Sequence, residues 1–97
     1  MRFEVYYTPT AKTTLKAVYS FIEIKFGERV ATRFLKKAEK TISLIAKNPL
    51  MFKALINDSP VRVGLITKQC SLFYRVTNST IELLYFWDNR QEPLFNY

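Results

Sequence analysis

The polar and apolar positions change period twice along the chain. Residues 2–7, Arg-Phe-Glu-Val-Tyr-Tyr, alternate, which puts Phe3, Val5 and Tyr7 on one side and predicts a β-strand. Thr8-Pro9 is a helix start, because Thr caps well and Pro suits the first helical position. Ala11, Leu15, Val18, Tyr19, Ile22 and Phe26 then recur at helical spacing, and Gly27 ends that run as a left-handed closing residue would.

A second helix is predicted over 28–47. Val30, Phe34, Ala38, Thr41, Ile42 and Ile45 form its apolar stripe, and Asn48-Pro49 stops it, since a residue before proline resists helical backbone angles. Two helices joined at one glycine form an antiparallel hairpin. Residues 50–60, with Asn57-Asp58-Ser59-Pro60, read as a loop. Period two then returns, with strands over 61–67, 69–76 and 80–87 and a turn at Thr77-Asn78-Ser79. The predicted fold class is α+β, with element order β-αα-βββ. An N-terminal strand is followed by a helical hairpin packed on a small, mainly antiparallel sheet, in one domain spanning 1–97.

Composition narrows the function classes. The chain has 97 residues, with one Trp, six Tyr and eight Phe, a globular rather than a disordered make-up. It has no His and one Cys, Cys70, so an internal disulfide is excluded and a metal site from nitrogen and sulfur ligands is not expected. No apolar run approaches the roughly 20 residues of a membrane span, and the start, Met1-Arg2-Phe3-Glu4-Val5, lacks an apolar signal segment. These features predict a cytoplasmic protein without a cofactor.

Fifteen Lys and Arg against eight Asp and Glu give a formal charge of +7, which attracts a polyanion or an acidic partner. On a helical wheel Arg29, Arg33, Lys36, Lys37, Lys40 and Lys47 gather opposite the apolar stripe of the second helix. Such a row is either the solvated side of an amphipathic helix or a platform for an acidic protein segment or a nucleic-acid backbone. Arg62 and Arg75 lie inside apolar strands, and Arg90 follows the last strand. A buried cation must be paired. Arg62 and Arg75 therefore either meet acids such as Glu82 or Asp88, or open onto a cationic hollow over the sheet that would hold a phosphate. RNA cleavage there would also need a proton acceptor and a donor. Without histidine these would come from Lys68, Glu82, Tyr85 or Tyr97, and the residues alone do not choose among them. Most aromatics are expected in the core, with the terminal Tyr97 the one freest to bind.

The segment Asn48-Pro49 with Met51-Phe52, then Val61-Arg62, Phe73-Tyr74-Arg75-Val76, Ile81 through Trp87-Asp88-Asn89-Arg90, and Pro93 resembles the C-terminal half of RelE/ParE toxins of type II toxin–antitoxin (plasmid stabilisation) systems. The N-terminal strand and the hairpin fit the same layout, so the resemblance covers nearly the whole chain. It implies a toxin held in a heteromeric complex by a cognate antitoxin, with Arg29, Arg33, Lys36, Lys37, Lys40, Tyr97 and the sheet edge as docking surfaces for antitoxin or target. It implies one of two modes of growth inhibition. ParE-like members poison DNA gyrase by binding it, and RelE-like members cleave mRNA on the ribosome without a metal. The long hairpin from Pro9 to Lys47 favours the first. Arg62, Arg75 and Arg90 would be the catalytic cations of the second. A non-toxic remnant that only binds antitoxin is the third reading.

Overall fold

The computed structural model describes residues 2–90, and Tyr97 lies outside them. Strand β1 (Glu4–Tyr7) leads into helices α1 (Pro9–Phe26) and α2 (Glu28–Lys47), followed by strands β2 (Val61–Thr67), β3 (Cys70–Val76) and β4 (Thr80–Asp88). The sheet order is β1-β4-β3-β2. The three later strands form antiparallel neighbours, while β1 pairs parallel to β4, with Glu4 opposite Thr80 and Tyr7 opposite Leu83. Parallel neighbours need a long crossover, and here the helical hairpin and two strands lie between them.

The hairpin boundaries have local causes. Thr8 accepts the Ala11 N–H at 3.1 Å, the expected cap, and its hydroxyl also donates to the Leu83 carbonyl at 2.7 Å. One side chain thus starts α1 and ties it to β4. Gly27 carries φ 95°, a region open to glycine, and it both closes α1 and precedes α2. Its ψ of 166° departs from the left-handed helical value, so Gly27 closes α1 in another conformation than the left-handed one the sequence implies.

The core lies between the hairpin and one face of the sheet. Helix α2 buries Ala31, Phe34, Ala38, Ile42, Ile45 and Ala46. Across from it, Leu72 and Tyr74 of β3 and Ile81, Leu83 and Phe86 of β4 are buried in the same cluster. Helix α1 is less one-sided: only Ala11 is fully buried, while Leu15, Val18 and Ile22 pack partly against the core. Phe26, expected in the buried stripe of α1, is 52% exposed, at the last position of the helix before the Gly27 corner.

Between α2 and β2 the chain folds back on the sheet. Leu55 N–H donates to the Val61 carbonyl at 2.8 Å and Val63 N–H to the Lys53 carbonyl at 3.2 Å, so residues 53–55 cover the start of the β2 edge. Phe52 lies against Gly64 so closely that a Cβ there would stand 2.6 Å from its ring. The segment read as a loop is thus docked by backbone hydrogen bonds and by one aromatic ring.

Candidate functional site

The three strand arginines occupy three separate environments. Arg62 pairs in register with Tyr74, and Arg75 with Val61. Successive strand residues point to opposite faces, so Arg62 shares the helix side with buried Tyr74 and Arg75 emerges on the other side. Arg62 Nη1 donates to the Phe52 carbonyl at 2.6 Å, so it is tied to the folded-back segment rather than to an acid. Its charge also acts on the Tyr74 hydroxyl. Burial raises that phenol above its ordinary value, while Arg62 and a hydrogen bond from the Phe52 backbone pull it part of the way back.

Arg75 does meet the acid named from the sequence, at 3.9 Å from Glu82, with the Arg75 side chain half exposed and that of Glu82 one-third exposed. Such a pair contributes little to stability. Tyr85 shares this face and stacks on Phe73, with ring centroids 4.5 Å apart. Lys68 lies in the turn between β2 and β3, at the other end of the sheet from the Arg75–Glu82 pair. Of the cleavage candidates, then, Arg75, Glu82 and Tyr85 share a face, whereas Arg62, Arg90 and Lys68 do not join them.

Arg90 stands just past β4. Its Nε and Nη2 donate to the two carboxylate oxygens of Asp88 at 2.9 and 2.7 Å, and its guanidinium lies over the Phe21 ring of α1, 4.8 Å from the centroid. The charge-assisted bonds from Arg90 hold the Asp88 carboxyl below the usual carboxylate range. Phe21 is also approached by Lys25, at 5.6 Å.

Two grooves open beside this bridge, and both are lined by Val18, Asp88 and Arg90. The first, of about 450 Å³, runs along α1 over Thr14, Ala17 and Phe21 to the end of β4. The second, of about 290 Å³, lies between the hairpin and the strand ends, with Ile22, Phe26, Val30, Phe34 and Cys70 as apolar lining and Arg33 and Lys37 among its polar residues. Cys70 is buried, and its thiol is pushed up to about 12, mainly by desolvation. Sequence reasoning offered Asp88 as a partner for Arg62 or Arg75, whereas Asp88 pairs with Arg90, and it missed Phe21 and these grooves. The exposed Phe26 is the trace of them in the sequence, but its spacing fits a core stripe equally well.

The basic row of α2 is exposed throughout: Arg29, Arg33, Lys36, Lys37 and Lys40 all reach solvent. The ion pairs among the described residues are Arg75–Glu82 and Arg90–Asp88, so none of these five cations has an acid partner there. The row divides in two. Arg33 and Lys37 face the second groove, while Arg29, Arg33 and Lys36 line a shallow outer depression with Glu28 and Thr32. Among the described residues no cluster of His, Cys, Asp and Glu would hold a metal, and no helix is long and apolar enough to cross a membrane.

Comparison with known proteins agrees with this architecture. The family described as "ParE toxin of type II toxin-antitoxin system, parDE" matches residues 5–93. No curated protein matches the chain by sequence. Among solved structures, a chain of the chromosomal ParDE system from P. aeruginosa superimposes with a TM-score of 0.76 at 16% identity, covering 90% of this chain and 96% of that one. A chain of the RelBE2 toxin–antitoxin complex from Mycobacterium tuberculosis gives 0.62 at 18% identity, covering 91% and 99%. The YoeB/ParE toxin from Agrobacterium tumefaciens gives 0.64 at 17% identity, covering 88% and 97%.

Proposed function

This chain belongs to the ParE toxin family of type II toxin–antitoxin systems, and from that premise we propose that it arrests growth by binding DNA gyrase and is silenced by a cognate antitoxin. The observation that carries the choice of target is the separation of the strand arginines. Cleavage of RNA requires cations, an acid and a base around one phosphate. Here Arg62 is committed to the Phe52 carbonyl on the helix side, Arg90 to Asp88, and Arg75 to the opposite face. An arrangement so dispersed favours inhibition by contact over inhibition by catalysis.

The antitoxin reading draws on the same surface chemistry. An acidic partner is steered by the five exposed cations of α2, Arg29, Arg33, Lys36, Lys37 and Lys40, which lack acids of their own among the described residues. Several structures of similar fold are toxin–antitoxin complexes.

Purified chain added to gyrase blocks supercoiling or traps cleaved DNA, and the antitoxin reverses the effect. Active supercoiling at a large molar excess of the chain would sink the gyrase reading. The second reading, ribosome-dependent mRNA cleavage, has one observation in its favour: Arg75, Glu82 and Tyr85 share the face of the sheet away from the helices. Cleavage of a defined message on stalled ribosomes, abolished by Arg75→Ala, would replace the first reading with this one. Expression without the antitoxin that leaves growth untouched would leave only the inert binder.

A further inference from the structure

Helix α2 carries a second stripe opposite its buried one. Positions 29, 33, 36, 40, 43 and 47 recur at alternating steps of four and three, so they fall in one line along the helix. Five of the six are exposed cations: Arg29, Arg33, Lys36, Lys40 and Lys47. The sixth is Ser43, and the tertiary structure fills that gap. Phe3 N–H donates to the Ala46 carbonyl at 2.9 Å, which pins the N-terminal segment on the end of α2. Arg2, next to it, donates from Nη2 to Ser43 Oγ at 3.0 Å. The cations thus stand in an unbroken line over roughly 27 Å, at about 1.5 Å of rise per residue.

The ion pairs among the described residues do not touch this line. Of the two acids on α2, Glu28 sits at its very start, in the first turn. Glu39 faces Tyr7, whose phenol burial raises and Glu39 raises further. The depression along the first half of the line is bordered by Glu28, Arg29, Thr32, Arg33 and Lys36, without an apolar side chain. A protein segment is held mainly by apolar and aromatic anchors, and exposed ion pairs add little. A phosphate backbone needs no such anchor. It is bound through release of its condensed counterions, for which a row of unpaired cations suffices.

We propose that this line binds the phosphate backbone of duplex DNA, without regard to base sequence, and that Arg2 completes it by bridging at Ser43. The choice of duplex DNA among polyanions rests on the gyrase reading above: gyrase holds duplex DNA, so a chain bound to the enzyme meets that backbone. The α2 line then grips the DNA while other surfaces of the chain contact the enzyme. An arginine has five N–H donors. Ser43 takes one from Arg2, and the rest of the guanidinium is left for phosphate oxygens.

The test follows binding of the full-length chain to a labelled duplex of about 20 base pairs by fluorescence anisotropy, from about 50 to about 200 mM salt. The wild-type chain binds, and the logarithm of its affinity falls against that of salt with a slope of about −5, as for about six neutralised phosphates. Lys36→Gln with Lys40→Gln makes the slope shallower by about 2 and the affinity lower by about tenfold or more. Arg2→Gln makes it shallower by about 1. Ser43→Ala keeps every charge and weakens binding less than Arg2→Gln, since it only releases the Arg2 side chain. Lys12→Gln with Lys16→Gln removes the same charge from exposed positions of α1 and leaves the slope unchanged. Thermal melts confirm that each variant is folded. In supercoiling assays the Lys36, Lys40 variant inhibits gyrase less than the wild-type chain does at equal concentration.

No binding at the lowest salt, or a slope that the Lys36, Lys40 variant leaves unchanged, would overturn the DNA contact. An equal loss in the Lys12, Lys16 variant would show attraction by net charge alone and overturn it too. Tighter binding to an RNA of the same length would overturn the duplex assignment. Slower association of the Lys36, Lys40 variant with an acidic protein, its DNA binding intact, would give the line to that protein instead. Equal inhibition of gyrase by this variant and the wild-type chain would remove the DNA contact from the inhibition. DNA binding as described, by a wild-type chain that leaves gyrase fully active, would overturn the gyrase reading and leave the DNA contact standing.

Discussion

The Tyr74 hydroxyl donates to the Pro49 carbonyl oxygen at 2.9 Å, joining the buried centre of the sheet to the chain just past α2. Arg62 reaches the same folded-back segment from the next strand, at the Phe52 carbonyl. The carbonyls of Pro49 and Phe52, in the segment after α2, are thus met by side chains of β3 and β2. The pairing gives residues 48–60 a fixed seat, and it makes Tyr74 and Arg62 a structural unit.

Tyr74→Phe therefore costs about 1 kcal/mol, the usual net value of one such hydrogen bond. Arg62→Met costs as much or more, since it leaves the Phe52 carbonyl unmet. Urea unfolding monitored by the single Trp measures both. Arg62→Lys gives the contrast with catalysis: a toxic role for the guanidinium predicts lost toxicity at unchanged stability, and the structural role predicts the reverse.

Gly64→Ala places a methyl group 2.6 Å from Cδ2 of the Phe52 ring. Overpacking of this kind costs about 1–3 kcal/mol. Phe52→Leu by itself also destabilises, but combined with Gly64→Ala it relieves the clash. The double variant is accordingly more stable than the sum of the two single effects. Strict additivity in denaturant melts would show that the ring does not rest on Gly64.

Thr8→Ala removes the cap of α1 and, with the same oxygen, the donor to Leu83. The expected loss is about 1–2 kcal/mol. Thr8→Ser keeps the hydroxyl and recovers most of it. Hydrogen exchange locates the damage: protection falls first in the initial turn of α1.

Alkaline pH weakens the fold through Cys70. Its folded-state thiol sits at about 12 against an ordinary 9.0. Below 9 the thiol is protonated whether the chain is folded or not, and stability is undiminished. Between about 9 and about 12 only the unfolded chain gives up the proton, so stability falls as pH rises. Burial raises Tyr7 and Tyr74 as well, and both act in the same direction. Cys70→Ser shrinks the alkaline slope. At neutral pH the native thiol reacts with a disulfide reagent only as fast as the chain opens.

The order of elements was legible in the sequence because each rests on short-range chemistry. The Thr8-Pro9 start, the Gly27 corner and the Asn48-Pro49 stop are local backbone effects, and the stripe of α2 reports a period that only a helix satisfies. The solvent exposure of Arg29, Arg33, Lys36, Lys37 and Lys40 followed from the same period. The partners of residues distant in sequence were decided only in the tertiary structure. Strand β1 lies beside β4, with paired residues 76 positions apart, and no local pattern encodes that neighbour. The register of β2 on β3 sends Arg62 and Arg75 to opposite faces, and a shift of β2 by one residue would have put both on the same face. Phe26 fits a core stripe by spacing, yet it lines a groove at the hairpin corner by placement. Hydrophobic period is a property of each segment, so the sequence determined the segments and the cations they display. Which cations meet, and around what hollow, depends on how the segments pack.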